Sequence, residues 1–458
     1  MNTIIVGAGK VGQTLAAQLA RGNYNVTVID TDSVVLDRLV NTYDVLGVEG
    51  NGANLDIQRE AGVANADLLI ATTDSDEINM IACMVAKKLG AARTIARVRN
   101  PEYEKQLRFM RRELGLTMAI NPEKEAAREI ARVLRLMGAS KVEAFSKGRI
   151  ELIEHHLHED SPLCGVKLMD LNKKFRVQVL ICAVVRQGQV TIPSGNFTLQ
   201  AEDTVYLTAT AQTLEKFFRA IGMRHSRARS VIVVGASTTG YYLAQSLADA
   251  GMSIKVVDQS EERCRHFSEI VPRALVIHGD GTDSELLAEE GIAEVDAFVA
   301  LTDIDETNIL MSMNVSHDND CKVVTKVNRQ SLRTLLDQTG LLDTVVSPAE
   351  VTAERILVYV RALHNADGLP AKTLHHLISG KVDALEFTVT ESFPQLGTPL
   401  KDLPTKEGVL LAAIVRPSGE IIIPSGNDAL QNGDDVILVT TDTELTDLRD
   451  ILDRKSVV

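Results

Sequence analysis

The chain has 458 residues, 45% of them hydrophobic and 24% charged, with a formal net charge of −14. That length predicts several domains, and the acidic balance argues against nucleic acid as the main partner. No apolar run approaches the roughly 18 residues of a membrane span, and candidates such as 179–185 are strand-sized.

The first strand is entered by residue 3, which leaves no room for a signal peptide. Five cysteines (Cys83, Cys164, Cys182, Cys264 and Cys321) are scattered without C-x-x-C spacing, and read as reduced core residues. These features predict an intracellular protein.

In chain order, Ile4-Ile5-Val6 runs into Gly7-Ala8-Gly9-Lys10-Val11-Gly12, a G-x-G-x-x-G turn. The pattern predicts a helix over 14–21, a strand over 25–30 ending at Asp30, and a helix over 33–42. A strand at 45–49, a helix at 55–61, the apolar strand 68–71, a helix at 77–89 and a strand at 94–99 follow. Apolar runs alternating with helix-period segments call for a parallel sheet covered on both faces. Asn121-Pro122 suits a helix start, with asparagine as cap and proline in the first turn, and the helix is expected over 123–137. From 141 to 209 the alternation is strand-like, with a hairpin signal at Arg186-Gln187-Gly188-Gln189 and a closing helix over 213–221. The polar, basic run 223–229 reads as a linker, and the basic stretch 108–112 as a solvated helix face.

The second half repeats the first. Ile232-Val233-Val234-Gly235-Ala236-Ser237-Thr238-Thr239-Gly240 leads to Val256-Val257-Asp258, and Gly12 to Asp30 spans the same distance as Gly240 to Asp258. Glu49-Gly50-Asn51-Gly52 matches His278-Gly279-Asp280-Gly281, and Thr73-Asp74-Ser75-Asp76-Glu77-Ile78-Asn79 matches Thr302-Asp303-Ile304-Asp305-Glu306-Thr307-Asn308. Arg97 corresponds to Lys326, and Ile192-Pro193-Ser194-Gly195-Asn196 recurs as Ile423-Pro424-Ser425-Gly426-Asn427. The expected fold class is therefore α/β, with two Rossmann-like, doubly wound parallel-sheet domains, each followed by a small α+β module. The expected boundaries are 1–121, a linking helix 122–138, a module 139–222, a linker 223–229, a second nucleotide-type domain 230–347, a helix 348–370 and a module 371–458.

The chemistry points to a nucleotide. Glycines let the backbone turn tightly and approach a pyrophosphate, the helix start offers it N–H groups, and the acid accepts ribose hydroxyls. No Arg or Lys lies within seven residues after Asp30, which favours NAD(H) over NADP. ATP and ADP carry the same free 2′-hydroxyl. Arg97 offers a fork suited to phosphate; Lys326 lacks that geometry. Thr73, Asp74 and Asp76 are also candidate helix caps, and Asp30 a cap for the helix after it. Ser237 replaces the middle glycine, where it either crowds a phosphate or bonds to it. His155, His156 and His158 raise a metal hypothesis, with exposed polar residues as the favoured reading.

These motifs together resemble the TrkA-type Trk potassium uptake family, whose members carry two RCK (KTN) nucleotide-binding domains, each followed by an RCK C-terminal module. The resemblance covers essentially the whole chain. It implies a cytoplasmic regulator, peripheral at the inner face of the cell membrane, that binds NAD(H) and in some members ATP or ADP. It implies a tetramer whose eight nucleotide domains form a ring under a separate Trk/Ktr-type potassium-conducting membrane subunit, with no catalytic residues. The candidate nucleotide contacts are Gly7, Ala8, Gly9, Lys10, Val11, Gly12, Asp30, Asn51, Thr73, Asp74 and Arg97. Their counterparts are Gly235, Ala236, Ser237, Thr238, Thr239, Gly240, Asp258, Asp280, Thr302 and Lys326. A hinge is expected near Asn121-Pro122 and Ser347-Pro348. The competing readings are a tandem Rossmann NAD-dependent oxidoreductase and a scaffold with vestigial pockets. The enzyme reading needs an acid/base beside the nicotinamide, and no His, Lys or Tyr constellation is duplicated here.

Overall fold

Strand β1 (Asn2–Val6) is buried at four of its five positions, and β4 (Leu68–Ala71) at all four. Such runs belong at the centre of a parallel sheet, where both faces are covered. In the computed structural model β1 pairs in parallel with β2 (Asn25–Asp30) on one side, Ile5 opposite Val28, and with β4 on the other, Ile4 opposite Leu69. The structure describes all residues except 23, 104–105, 107–110, 112, 224–226, 343, 365–370, 379–380, 443–444, 446 and 454–458. Most of the basic stretch 108–112, and residues 224–226 of the expected linker, lie outside the described residues.

The first sheet is completed by β3 (Leu46–Glu49), β5 (Arg93–Arg97) and β6 (Met118–Ile120), in the order β3-β2-β1-β4-β5-β6. Helices α1 (Lys10–Arg21), α2 (Ser33–Thr42), α3 (Leu55–Glu60) and α4 (Asp76–Leu89) alternate with its strands. Helix α1 buries Val11, Leu15, Ala16 and Leu19, a 3.6-period stripe. Strand β6 has no counterpart among the expected elements, because three residues are too few to show a period.

After α5 (Pro122–Arg135), strands β7 (Lys141–Phe145), β8 (Ile150–His156), β9 (Leu180–Arg186), β10 (Gln189–Thr191) and β11 (Thr204–Ala209) form an antiparallel sheet in the order β10-β9-β11-β8-β7. Helix α6 (Leu168–Phe175) interrupts the stretch expected to be strand-like, and α7 (Ala211–Ala220) closes the module.

The whole succession recurs. Strands β12 (Ser230–Val234), β13 (Ser253–Asp258), β14 (Leu275–His278), β15 (Ala297–Ala300), β16 (Lys322–Lys326) and β17 (Val345–Val346) line up as β14-β13-β12-β15-β16-β17. Between them run α8 (Thr238–Asp249), α9 (Glu261–Ile270), α10 (Ser284–Glu289), α11 (Asp305–Asp318) and α12 (Gln330–Thr339), and α13 (Pro348–His364) follows. A second antiparallel sheet holds β18 (Ala371–Leu377), β19 (Val382–Thr388), β20 (Val409–Val415), β21 (Ile421–Ile422) and β22 (Asp435–Thr440).

Two units result: Met1–Ile130 with Val231–Leu357, and Ala131–Ser230 with Val358–Val458. The first contains both parallel sheets. Within it Asn121 Nδ2 donates to the Tyr242 hydroxyl at 3.1 Å, and the Lys124 ammonium lies over the Tyr242 ring. The second unit has a core shared by both modules, with Phe145, Ile150 and Cys182 clustered with Leu377, Val382 and Val439. In each module an arginine is locked onto a buried aspartate, Arg186 on Asp203 and Arg416 on Asp434. All five cysteines are free; burial pushes the Cys83 thiol up to about 12. Among the described residues, no helix is long and apolar enough to cross a membrane.

Candidate functional site

In both parallel sheets the strand order reverses beside the first strand of its repeat, and it is at the carboxyl ends beside such a reversal that open α/β sheets bind ligands. In the first sheet this edge gathers the glycine turn after β1, Asp30 at the end of β2, Asn51 after β3, Thr73 and Asp74 after β4, and Arg97 at the end of β5.

Each glycine of the turn has a separate job. Gly7 has φ +97°, and a Cβ there would meet the Thr73 nitrogen at 2.7 Å. A Cβ on Gly12 would lie 1.9 Å from the Gly7 carbonyl oxygen, so the start of α1 packs directly on the turn. A Cβ on Gly9 meets nothing within 4 Å. Gly9 is thus not required by the chain's own packing, and the space beside it is open. Gly9 is also the N-cap of α1, and no side chain caps this helix. Its first N–H groups are therefore placed to receive an anion. Ala8, Val11 and Gly12 are buried beneath the turn, while Gly9 and Lys10 are exposed.

Asp30 is tied to this turn. Its Oδ2 accepts from the Ala8 N–H at 2.5 Å and its Oδ1 from the Asp32 N–H at 2.9 Å. The cap of α2 is Asp32, not Asp30. A carboxylate has about four acceptor sites, so Asp30 retains capacity for ribose hydroxyls.

The Thr-Asp-x-Asp-Glu-x-Asn run works as a clamp. Asn79 Oδ1 accepts from the Thr73 N–H at 2.8 Å, and its Nδ2 donates to the carbonyls of Thr73 and Arg97, each at 3.0 Å. Asp76 accepts from the N–H groups of Arg99 and Asn100, fixing the chain after β5. Capping of α4 falls to Ser75, whose hydroxyl accepts from Ile78, rather than to Thr73, Asp74 or Asp76. In the sequence Asn79 was legible only as part of the repeated motif, and Asp76 as part of that motif or as a helix cap. Asn51 accepts from Ala53 N–H in its own turn, and the following Gly52 would place a Cβ 2.1 Å from Val6 Cγ1.

Arg97 is buried, donates to the Thr73 carbonyl at 2.6 Å and lies 3.4 Å from the fully exposed Asp74 carboxylate. Its Nε is buried without an acceptor among the described residues. Burial, reinforced by nearby Arg99, pulls the guanidinium below its ordinary value. A buried cation with an unsatisfied donor beside a glycine turn suits an anionic ligand.

The second edge repeats this frame with different fittings. Gly235 has φ +113°, and Asn308 bonds Thr302 and the Lys326 carbonyl as Asn79 does Thr73 and Arg97. Asp305 holds the N–H groups of Asn328 and Arg329. Asp280 makes its own turn by accepting from Thr282. Lys326 is buried and 3.4 Å from Asp303, and burial lowers its ammonium. Thr238 is exposed at the start of α8, while Thr239 and Gly240 are buried.

Two features depart from the first edge. The Ser237 hydroxyl caps α8, accepting from Gly240 N–H at 3.2 Å. The Asp258 carboxylate accepts from Ala236 and Ser260 N–H and also from Arg263, whose Nε and Nη2 are 3.0 and 2.8 Å from Oδ1. The same scan for basic residues applied after Asp258 would have found Arg263, five positions on.

The histidine run splits in two, His155 on one side and His156 with His158 on the other. His155 Nδ1 meets the Gly138 carbonyl at 2.7 Å and its ring packs edge-on against Phe218. His156 and His158 have ring centroids 5.1 Å apart, and His156 lies 3.4 Å from Glu202. Among the described residues no group of three or more His, Cys, Asp or Glu side chains is placed to hold a metal ion.

Comparison with known proteins agrees with this architecture. The TrkA-N domain family matches residues 3–122 and 231–348, and the TrkA-C domain family matches 152–222 and 384–453. The chain is 33% identical over 446 residues to the Trk system potassium uptake protein TrkA homolog 1 of Methanosarcina mazei, covering 96% of this chain and 97% of that protein. It is likewise 33% identical over 445 residues to the Trk system potassium uptake protein TrkA of Halomonas elongata, covering 96% of each. Among solved structures, the GsuK channel bound to NAD superposes with a TM-score of 0.61 at 20% identity, over 97% of this chain and 77% of that one.

Proposed function

Because the chain belongs to the TrkA family of Trk-system potassium uptake proteins, we propose that it is a nucleotide-responsive regulatory subunit of a membrane potassium-uptake system. The ligand of the first half is NAD(H), with ATP or ADP as the adenine nucleotides sharing its free ribose diol. The observation that carries this reading is the open, uncapped helix start at Gly9, facing an Asp30 carboxylate with unused acceptor sites. Gly9 and the N–H groups of α1 would hold the pyrophosphate, Asp30 the ribose, and the unsatisfied Arg97 Nε supplies positive charge. The likeness to a channel bound to NAD supports the same choice of ligand.

The ligand acts mechanically. It shifts a conformational equilibrium only by as much as it prefers one state, about 1–3 kcal/mol in typical allosteric coupling. The chain works peripherally at the inner face of the membrane, as a tetramer whose eight nucleotide-type domains form a ring beneath a Trk/Ktr-type conducting subunit. Native mass measurement tests the tetramer. Isothermal titration with NADH, NAD+, ATP and ADP tests the ligand, and potassium flux through the reconstituted membrane partner tests the coupling. Micromolar binding and a nucleotide-dependent flux are expected; no binding, or binding without effect on flux, overturns the proposal. Steady NADH oxidation with a small carbonyl substrate would instead support an oxidoreductase.

A further inference from the structure

The two glycine turns differ in what completes them. At the first, among the described residues, α1 begins without a side-chain cap and Asp30 accepts only the N–H groups of Ala8 and Asp32. At the second, the Ser237 hydroxyl takes the Gly240 N–H of α8. There Asp258 accepts four bonds, from Ala236 N, Ser260 N and both Nε and Nη2 of Arg263. Three of the four fall on Oδ1, which is thereby saturated, while Oδ2 takes only the Ala236 N–H; each Asp30 oxygen, by contrast, takes a single bond.

We propose that Ser237 and Arg263 hold the phosphate and ribose positions of the second pocket from within the chain, so that a dinucleotide with a free ribose diol binds one per chain, at the first half alone. This rests on the nucleotide reading above and adds its stoichiometry and the residues that set it. A ribose diol offers Asp258 two neutral hydroxyl donors. To engage both oxygens it must displace the two charge-assisted bonds that Arg263 Nε and Nη2 place on Oδ1, which are stronger than those of a neutral hydroxyl. The Asp258 side chain is 5% exposed, whereas that of Arg263 is 55% exposed. The guanidinium therefore satisfies a buried carboxylate while remaining largely solvated itself, and loses little by staying there. The serine acts at the other end, because an N–H already bonded to its hydroxyl is withdrawn from an incoming phosphate. Asp258 thus keeps its structural bonds to the turn while serving as a partner for the chain's own arginine.

The test is calorimetric titration of the full-length protein with NADH. Wild type is expected to take one NADH per chain, and Asp30→Asn to lose it, with affinity falling at least tenfold. The double variant Ser237→Gly/Arg263→Gln is expected to take two, and the same pair in the Asp30→Asn background to take one, at the second half. Unchanged melting transitions of the variants confirm that folding is retained. Two sites in wild type, or a double variant that stays at one, overturns the inference while leaving the nucleotide reading intact. NADPH binding to wild type that is lost in Arg263→Gln also overturns it, because the guanidinium would then be a 2′-phosphate receptor. No binding of NADH, ATP or ADP in any variant would remove the nucleotide reading itself.

Discussion

At Gly12 a methyl group would press on the Gly7 carbonyl oxygen at 1.9 Å, whereas at Gly9 it would enter open space. The two glycines of one motif are therefore separable by experiment. Gly12→Ala is expected to destabilise the protein by about 1–3 kcal/mol or more, because the backbone must shift to admit it. Gly9→Ala is expected to lower the melting temperature much less than Gly12→Ala, by no more than the poorer N-cap costs, while weakening NADH binding, since the added Cβ projects where the ligand approaches. Thermal denaturation and titration on the same two variants check both halves of this statement. Equal loss of stability at both positions would show that the middle glycine also serves packing.

At the scale of elements, the buried Asn79 side chain ties the loop after β4 to the end of β5, alongside the Arg97 bond to the Thr73 carbonyl. Asn79 bonds Thr73 twice through its oxygen and reaches the Thr73 and Arg97 carbonyls through its nitrogen. Asn79→Ala removes the partner of the part-buried Thr73 N–H and one donor each from the Thr73 and Arg97 carbonyls, and is expected to cost about 1–3 kcal/mol. Asn308→Ala breaks the same set of bonds around Thr302 and Lys326, so its effect on stability should be similar. Only Asn79→Ala is expected to reduce NADH affinity, because only the first loop borders the open turn. Chemical denaturation gives the first comparison and titration the second.

At the scale of the molecule, duplication is compact within each unit but not symmetric in chemistry. In the second unit Glu143 of one module lies 2.6 Å from His375 Nδ1 of the other and 2.9 Å from Lys141 Nζ. Burial opposes charge on Glu143, but His375 and Lys141 more than offset it and hold the carboxyl far below the usual carboxylate range. A depressed folded-state pKa adds stability that is present above the unfolded value of about 4.3 and is lost as pH falls toward the folded one. The melting temperature is therefore expected to decline as pH drops below that value. Glu143→Gln should remove about 2–3 kcal/mol near neutral pH, where the charged hydrogen bonds are lost, and should flatten the acid limb. A variant with the wild-type pH profile would assign the acid sensitivity to other carboxylates.

The amino-acid sequence by itself determined the duplication, the parallel-sheet class of each half, and the edge on which the candidate residues gather. All of these follow from local signals: apolar runs of fixed length, glycines at fixed spacing, and an acid eighteen residues on. Three-residue β6 and helix α6 escaped the reading, the first because it is too short for a period and the second because it interrupts a strand-like alternation. The division of labour at the site was decided only by the fold. Ser75 rather than its acidic neighbours caps α4, Asp32 rather than Asp30 caps α2, and Arg97 turns inward to the Thr73 carbonyl. The same holds for the second half, where Ser237 and Arg263 complete a turn that Gly9 leaves open in the first. The physical reason is that spacing says which groups share an edge, but a carboxylate, hydroxyl or guanidinium within reach of several partners takes the geometry that three-dimensional packing offers it.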